Sequence, residues 1–187
     1  MATSPFLIAV IGDGTVPEGT PPYALAERLG EALVDAGFRV LTGGLDGIME
    51  AASRGASRSR AHGPGSVIGL LPGHDPADAN PWVDVPLATG LGHARNPIVA
   101  HASAVIAIGG GAGTLSELAF AWILRRLVIA FRVPGWSGRL AGTRIDDRVR
   151  FRSIPDDQVW GVDTAEEAVQ ILRLELEAYE AARREDP

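Results

Sequence analysis

Two stretches of this chain set a glycine pair and a carboxylate at one spacing. Gly43 and Gly44 are followed by Glu50, and Gly110 and Gly111 by Glu117, each Glu six residues beyond the second glycine. A third loop, GDGT at 12–15, also carries glycine. Glycine ahead of a helix removes the Cβ that would keep an anion from the backbone. The helix start then offers unpaired N–H groups and the positive end of its dipole. On this reading Gly12, Asp13, Gly14, Gly43, Gly44, Gly47, Met49, Glu50, Asn96, Gly110, Gly111, Gly113 and Thr114 are candidate ligand-binding residues for a phosphate-bearing molecule. The competing reading is that glycine only supplies turn geometry between strand and helix. Neither a G-x-G-x-x-G fingerprint nor a P-loop fits, since GGGAGT does not continue as the first and the chain has no lysine for the second.

Glu117 has two readings of its own. It stands one turn into a helix that would begin at a phosphate, so its carboxylate reaches the mouth of a ligand cleft. It also follows Thr114 by three residues, the spacing of a helix capping box, in which it would fold back on the Thr114 N–H. Arg95, just ahead of Asn96 and Pro97, is either a solvated surface arginine or a bidentate partner for a phosphate or carboxylate. Beside Glu117 it would hold that carboxyl ionised by lowering its pKa, or else grip the substrate phosphate. Of the four histidines, His62, His74, His93 and His101 show no metal-ligand spacing. Only His93 falls near the proposed site, and it is read as incidental; no metal is expected.

These residues need a scaffold that brings loops together. FLIAVI at 6–11, FRVLTGG at 38–44, SVIGLLPG, WVDVPLATG, AVIAIGG and LVIAFR read as strands. Segments with helical periodicity stand between them: one after Pro21–Pro22, then DGIMEAASRGASRS, NPIVAHA and TLSELAFAWILRR. Apolar strands alternating with helices imply an α/β, Rossmann-like doubly wound, mainly parallel sheet with helices on both faces. The loops leaving the carboxyl ends of its strands gather along one edge. The chain is expected to form one nucleotide-binding domain over 1–187, with an irregular excursion or hairpin at about 133–153. A C-terminal helix at about 164–184 is expected to open on a Thr164–Glu167 capping box and to fray at its charged end.

Composition narrows the function. Hydrophobic residues are 46% and charged residues 21%, ordinary globular usage, and the net charge of −6 argues against general nucleic-acid binding. The absence of cysteine removes thiolate nucleophiles, disulfides and cysteine zinc sites, and the absence of lysine removes Schiff-base chemistry. With no charged leader ahead of an apolar stretch, and no apolar run near the roughly 20 residues of a membrane span, a cytoplasmic location without membrane contact is expected.

At the glycine loops the chain resembles the Lonely Guy family, Rossmann-like proteins that cleave nucleoside 5′-monophosphates to free base and ribose 5-phosphate. GGGAGTLSE, Gly109 to Glu117, is similar to that family's Pro-Gly-Gly-x-Gly-Thr-x-x-Glu stretch, with Gly109 in the place of proline. GGLDGIMEAASRGA, Gly43 to Ala56, resembles its other glycine loop, and the likeness runs from about Phe6 to Phe131. The resemblance implies that Arg95 and Glu117 are the catalytic pair, with Asn96 standing where the family has lysine. It further implies hydrolysis without a cofactor and at least a homodimer. TGLGHARNPIV, the GGG start and GWSGRLAG look more like a neighbouring branch that includes molybdenum-cofactor carrier proteins. That likeness implies the alternative of a non-catalytic carrier with the molybdenum cofactor as ligand.

Overall fold

The computed structural model describes residues 6–185; the opening residues, on which the reading of the leader rests, lie outside them. Seven strands form one sheet: β1 Leu7–Gly12, β2 Arg39–Thr42, β3 Val67–Leu71, β4 Val85–Ala88, β5 Ala104–Ile108, β6 Leu127–Phe131 and β7 Val159–Val162. Their spatial order is β4-β3-β2-β1-β5-β6-β7, and every pair is parallel. The helices are α1 Pro21–Asp35, α2 Ile48–Arg58, α3 Asn96–Val99, α4 Ala112–Ile123, α5 Trp136–Leu140 and α6 Ala165–Glu185. The architecture is a Rossmann-like α/β doubly wound sheet. The order reverses between β1 and β5, where the chain, having built outward to β4, returns to the other side of β1.

The strands read as unbroken apolar runs because both faces of the sheet are covered. Alternate residues of β1 divide between two cores: Ile8 and Val10 face the side of α1, α2 and α6, while Ala9 and Ile11 face the side of α3 and α4. α1 and α2 touch closely through Gly30 and Gly55, where any Cβ would strike the backbone of Ala52 or Glu27. Trp122 belongs to the second core, fully covered.

Over 133–153 the chain takes the irregular path rather than the hairpin, with one short helix, α5, in it. β7 follows at Val159–Val162, a strand that the sequence reading omits because four residues including Gly161 carry no clear alternation. Arg150 pins the irregular part. It donates to both Asp157 carboxylate oxygens at 2.8 and 2.5 Å and to the carbonyls of Trp122 and Arg126 at 3.1 Å, its guanidinium 3.5 Å from the Trp122 ring centroid. Tyr179 of α6 donates to Asp157 at 2.9 Å, so this buried ion pair has hydrogen-bond partners on both sides. The Thr164–Glu167 capping box forms: Thr164 Oγ1 accepts from the Glu167 amide at 3.2 Å, and the Glu167 carboxylate accepts from the amides of Asp163 and Thr164. No helix among the described residues is long and apolar enough to cross a membrane.

Candidate functional site

The carboxyl ends of β1, β2, β3 and β5 open on one cleft of about 400 Å³ at the strand-order reversal. Gly12, Asp13 and Gly14 line it from the β1 loop, Gly43 and Met49 from the β2 loop and α2. Arg95 comes from the turn ahead of α3, Asn96 from its first position, and Gly111, Gly113, Thr114 and Glu117 from the start of α4. Four expected ligand-binding residues, Gly44, Gly47, Glu50 and Gly110, lie outside this lining. Ile11, Leu45, Pro72, Gly92 and His93 are added to it. His93, read from sequence as incidental, stands on the cleft wall. The signal that could have found it is its place in the same turn as Arg95, two residues earlier.

The glycines divide by what a Cβ would meet. In the β2 loop, Gly44 has φ +76° and backs onto Gly69 and Leu71. Gly47 has φ +66° and backs onto the Asp13 and Gly14 backbone. There the turn-geometry reading holds. At Gly43 a Cβ would collide with the Arg95 guanidinium and Met49 sulfur, so its bareness makes room for the arginine. Around Gly111 nothing lies within 4 Å of the missing Cβ, and at Gly113 the nearest atom is His93 Cε1 at 4.0 Å. The space over the first turn of α4 is therefore kept clear of protein. No described side chain caps that helix, whose N-cap is Gly111, so its first N–H groups have no side-chain partner where Gly111, Gly113 and Thr114 line the cleft. At α2 the first amide, Ile48, is already taken by the Asp13 carbonyl at 3.1 Å.

Glu117 does not form the capping box. It is 7% exposed, and one carboxylate oxygen accepts from Arg95 Nη1 at 2.8 Å. Arg95 is 8% exposed, which excludes a solvated surface role. The same Nη1 donates to Asn96 Oδ1 at 2.6 Å, and Asn96 Nδ2 donates to Ser116 Oγ at 2.7 Å, so Asn96 ties the arginine to α4. Arg95 Nε is buried without a hydrogen-bond partner among the described residues. Such a donor normally finds one, so an incoming acceptor would gain by supplying it.

Of the two roles expected of Arg95, one was to keep Glu117 ionised and the other to grip a phosphate, and Arg95 does lower the Glu117 pKa. Burial outweighs it: loss of hydration raises the Glu117 carboxyl from its ordinary 4.5 to about 7, against the lowering by the Arg95 charge and hydrogen bond. A carboxyl poised there can take or give a proton at neutral pH.

Gly109 precedes the loop with φ +63°, and its N–H donates to Ser137 Oγ at 2.7 Å. Proline, fixed near φ −65° and without an N–H, has no place in this backbone, which accounts for glycine at that position. Among the described residues no three His, Asp or Glu side chains gather as a metal site.

The profile of the SLOG cluster4 family matches residues 5–169. A protein of Archaeoglobus fulgidus described as uncharacterized is 41% identical over 128 residues, 68% of this chain and 80% of that one. Among solved structures, the molybdenum cofactor binding protein of Rippkaea orientalis is 33% identical with a TM-score of 0.73, covering 93% of this chain and 98% of its own. The molybdenum cofactor carrier protein of Chlamydomonas reinhardtii is 27% identical with a TM-score of 0.72, covering 92% and 99%. DNA processing protein A of Helicobacter pylori, at 16% identity and a TM-score of 0.64, shares the fold alone.

Proposed function

The chain belongs to the SLOG cluster4 family, and from that premise and the geometry of its cleft we propose that it binds a phosphate-bearing, nucleotide-like small molecule of the molybdenum-cofactor type, a phosphorylated pterin. The observation that carries this reading is the uncapped start of α4, where Gly111 and Gly113 leave open space beside unpaired N–H groups. That is a seat for phosphate. Leu45, Met49 and Pro72 add apolar surface to the cleft lining, suited to a flat ring system. The unpartnered Arg95 Nε adds a donor for an anionic or carbonyl oxygen. The volume of about 400 Å³ lies within the range of small-molecule sites. The residues present therefore fit a phosphorylated pterin. Such a ligand would be cargo whose metal chemistry serves another protein, and the role of this chain would be to hold it and shield it from water.

A second reading rests on Glu117. A buried carboxyl with a pKa of about 7, held by Arg95 in the same cleft, has the properties of a general base. Beside the anomeric carbon of a nucleoside 5′-monophosphate it would take a proton from water as the oxygen attacks. The electron pair of the N-glycosidic bond would leave with the base, and the proton would pass to that base. Positive charge developing on the ribose would be stabilised by the ionised carboxylate.

One experiment separates the readings. The purified protein is titrated by calorimetry with a phosphorylated pterin and with a panel of nucleoside 5′-monophosphates, and each mixture is assayed for free base and ribose 5-phosphate. Retention of the pterin phosphate without turnover of any nucleotide supports the carrier. Release of base that disappears in Glu117→Gln supports the hydrolase. Binding of neither class overturns both.

A further inference from the structure

The residues just before α4 are held from behind, by a segment outside the cleft lining. Gly109 and Gly110 both have positive φ, +63° and +89°. Such a double turn has no regular partner of its own, yet all three of its critical backbone groups are paired. The Ser137 amide donates to the Gly109 carbonyl at 3.0 Å, and the Trp136 amide donates to the Gly110 carbonyl at 3.1 Å. Ser137 Oγ accepts from the Gly109 amide at 2.7 Å and donates to the Phe131 carbonyl at the end of β6 at 2.8 Å. Ser137 is fully buried. Gly135, at φ +123°, lets the start of α5 lie flat on the loop; a Cβ there would overlap the backbone of Gly109 and Gly110.

This arrangement sorts the polarity of the loop. An anion is attracted by N–H groups and repelled by carbonyl oxygens. Here the Gly109 and Gly110 carbonyls are committed to α5, whose residues take no part in the cleft lining. What remains toward the cleft is the open start of α4. We propose that Ser137 is a positioning residue of the anion seat: by bridging the Gly109 amide to the Phe131 carbonyl it fixes the glycine turn so that carbonyls face α5 and N–H groups face the ligand. The role rests on the phosphate-binding reading above but is measurable apart from it. Ser137 touches no ligand and is not a catalytic residue.

Ser137→Ala removes both hydroxyl bonds and leaves the buried Gly109 amide without its acceptor, while Ser137→Thr restores the oxygen. Amide hydrogen exchange in the ligand-free protein, resolved over residues 109–114, gives a readout that needs no ligand. The expected result for Ser137→Ala is exchange at least about tenfold faster in that loop, with β1 and α6 unchanged, and recovery in Ser137→Thr. Calorimetry with AMP and with a pterin phosphate is expected to show affinity weakened by a similar factor in Ser137→Ala alone. Loop exchange that stays at the wild-type rate, or acceleration spread evenly over the sheet, overturns the proposal. So does a weakened loop with undiminished affinity. If the wild-type protein takes up neither probe, the phosphate-binding reading fails by itself, and the exchange comparison still decides whether Ser137 fixes the turn.

Discussion

The β2–α2 loop and the β5–α4 loop carry the same glycine pair with a glutamate six residues on, yet they do different work. In the first, Gly44 and Gly47 sit at positive φ with neighbouring protein against the place of their Cβ atoms, Leu71 and Gly69 at the one and the Asp13–Gly14 backbone at the other, and Glu50 lies outside the cleft, in the first turn of α2. In the second, Gly111 and Gly113 border empty space, and Glu117 is buried against Arg95 on the cleft wall. Glycine spacing marks where a strand meets a helix. Whether the vacancy belongs to the protein or to a ligand is decided by what packs against it. The two helix starts also differ: neither has a described side-chain cap, but at α2 the backbone carbonyl of Asp13 accepts from the Ile48 amide.

The sharpest way to break this comparison is to remove the two carboxylates in parallel. If the cleft hydrolyses nucleotides, Glu117→Gln is expected to lower the rate by about 10²–10⁴, whereas Glu50→Gln leaves it within twofold, measured as base released per unit time. Equal losses in both variants would make the two loops equivalent after all.

A second test uses protons. The folded protein holds the Glu117 carboxyl at about 7, against an ordinary value of 4.5 that the unfolded chain retains. Below pH 4.5 both states are protonated and the group contributes nothing. Between 4.5 and 7 the unfolded chain ionises first, so stability falls as pH rises. Above 7 the penalty levels off at about 3 kcal/mol. Urea unfolding of the wild type across pH 4–8 should show this decline, and Glu117→Gln should lack it; identical slopes would remove burial as the cause.

The smallest effect separates packing glycines from seat glycines by sign. Gly47→Ala places a Cβ at positive φ against Asp13, and a loss of more than about 1 kcal/mol is expected in denaturant unfolding. Gly113→Ala lies inside a helix with open space beside it, so a gain of about 0.5–1 kcal/mol is expected together with weaker binding of a phosphorylated ligand. Stabilisation without any loss of affinity would show that the space over α4 is not where the ligand sits.

The alternation of strands and helices was legible in the sequence because each central strand is buried on both faces and reads as an unbroken apolar run, as AVIAI at 104–108 does. β7 was not, since a four-residue strand with a glycine at its third position offers no periodicity to count. Arg95 and Glu117 could be named from residue type and neighbourhood and paired through the family resemblance, but the hydrogen bond between them could not be read from the chain, where they stand 22 positions apart. Leu45 and Pro72 escaped because nothing in their local pattern distinguishes a cleft wall from an ordinary loop, and His93 was placed near the site but given no part in it. The net effect on Glu117 also lay beyond sequence, for an arginine partner can be guessed from type while loss of hydration depends on everything packed around the carboxyl.

The seating of Trp136 has an optical consequence. Its amide holds the Gly110 carbonyl, and the Arg139 guanidinium lies 5.0 Å from the centre of its indole ring. Of the four tryptophans in the chain, Trp122 is locked beneath Arg150 in the core, whereas Trp136 sits on the back of the glycine turn. The protein thus carries a native chromophore wired to that turn, and a shift in its emission would report movement of the loop without any label being attached.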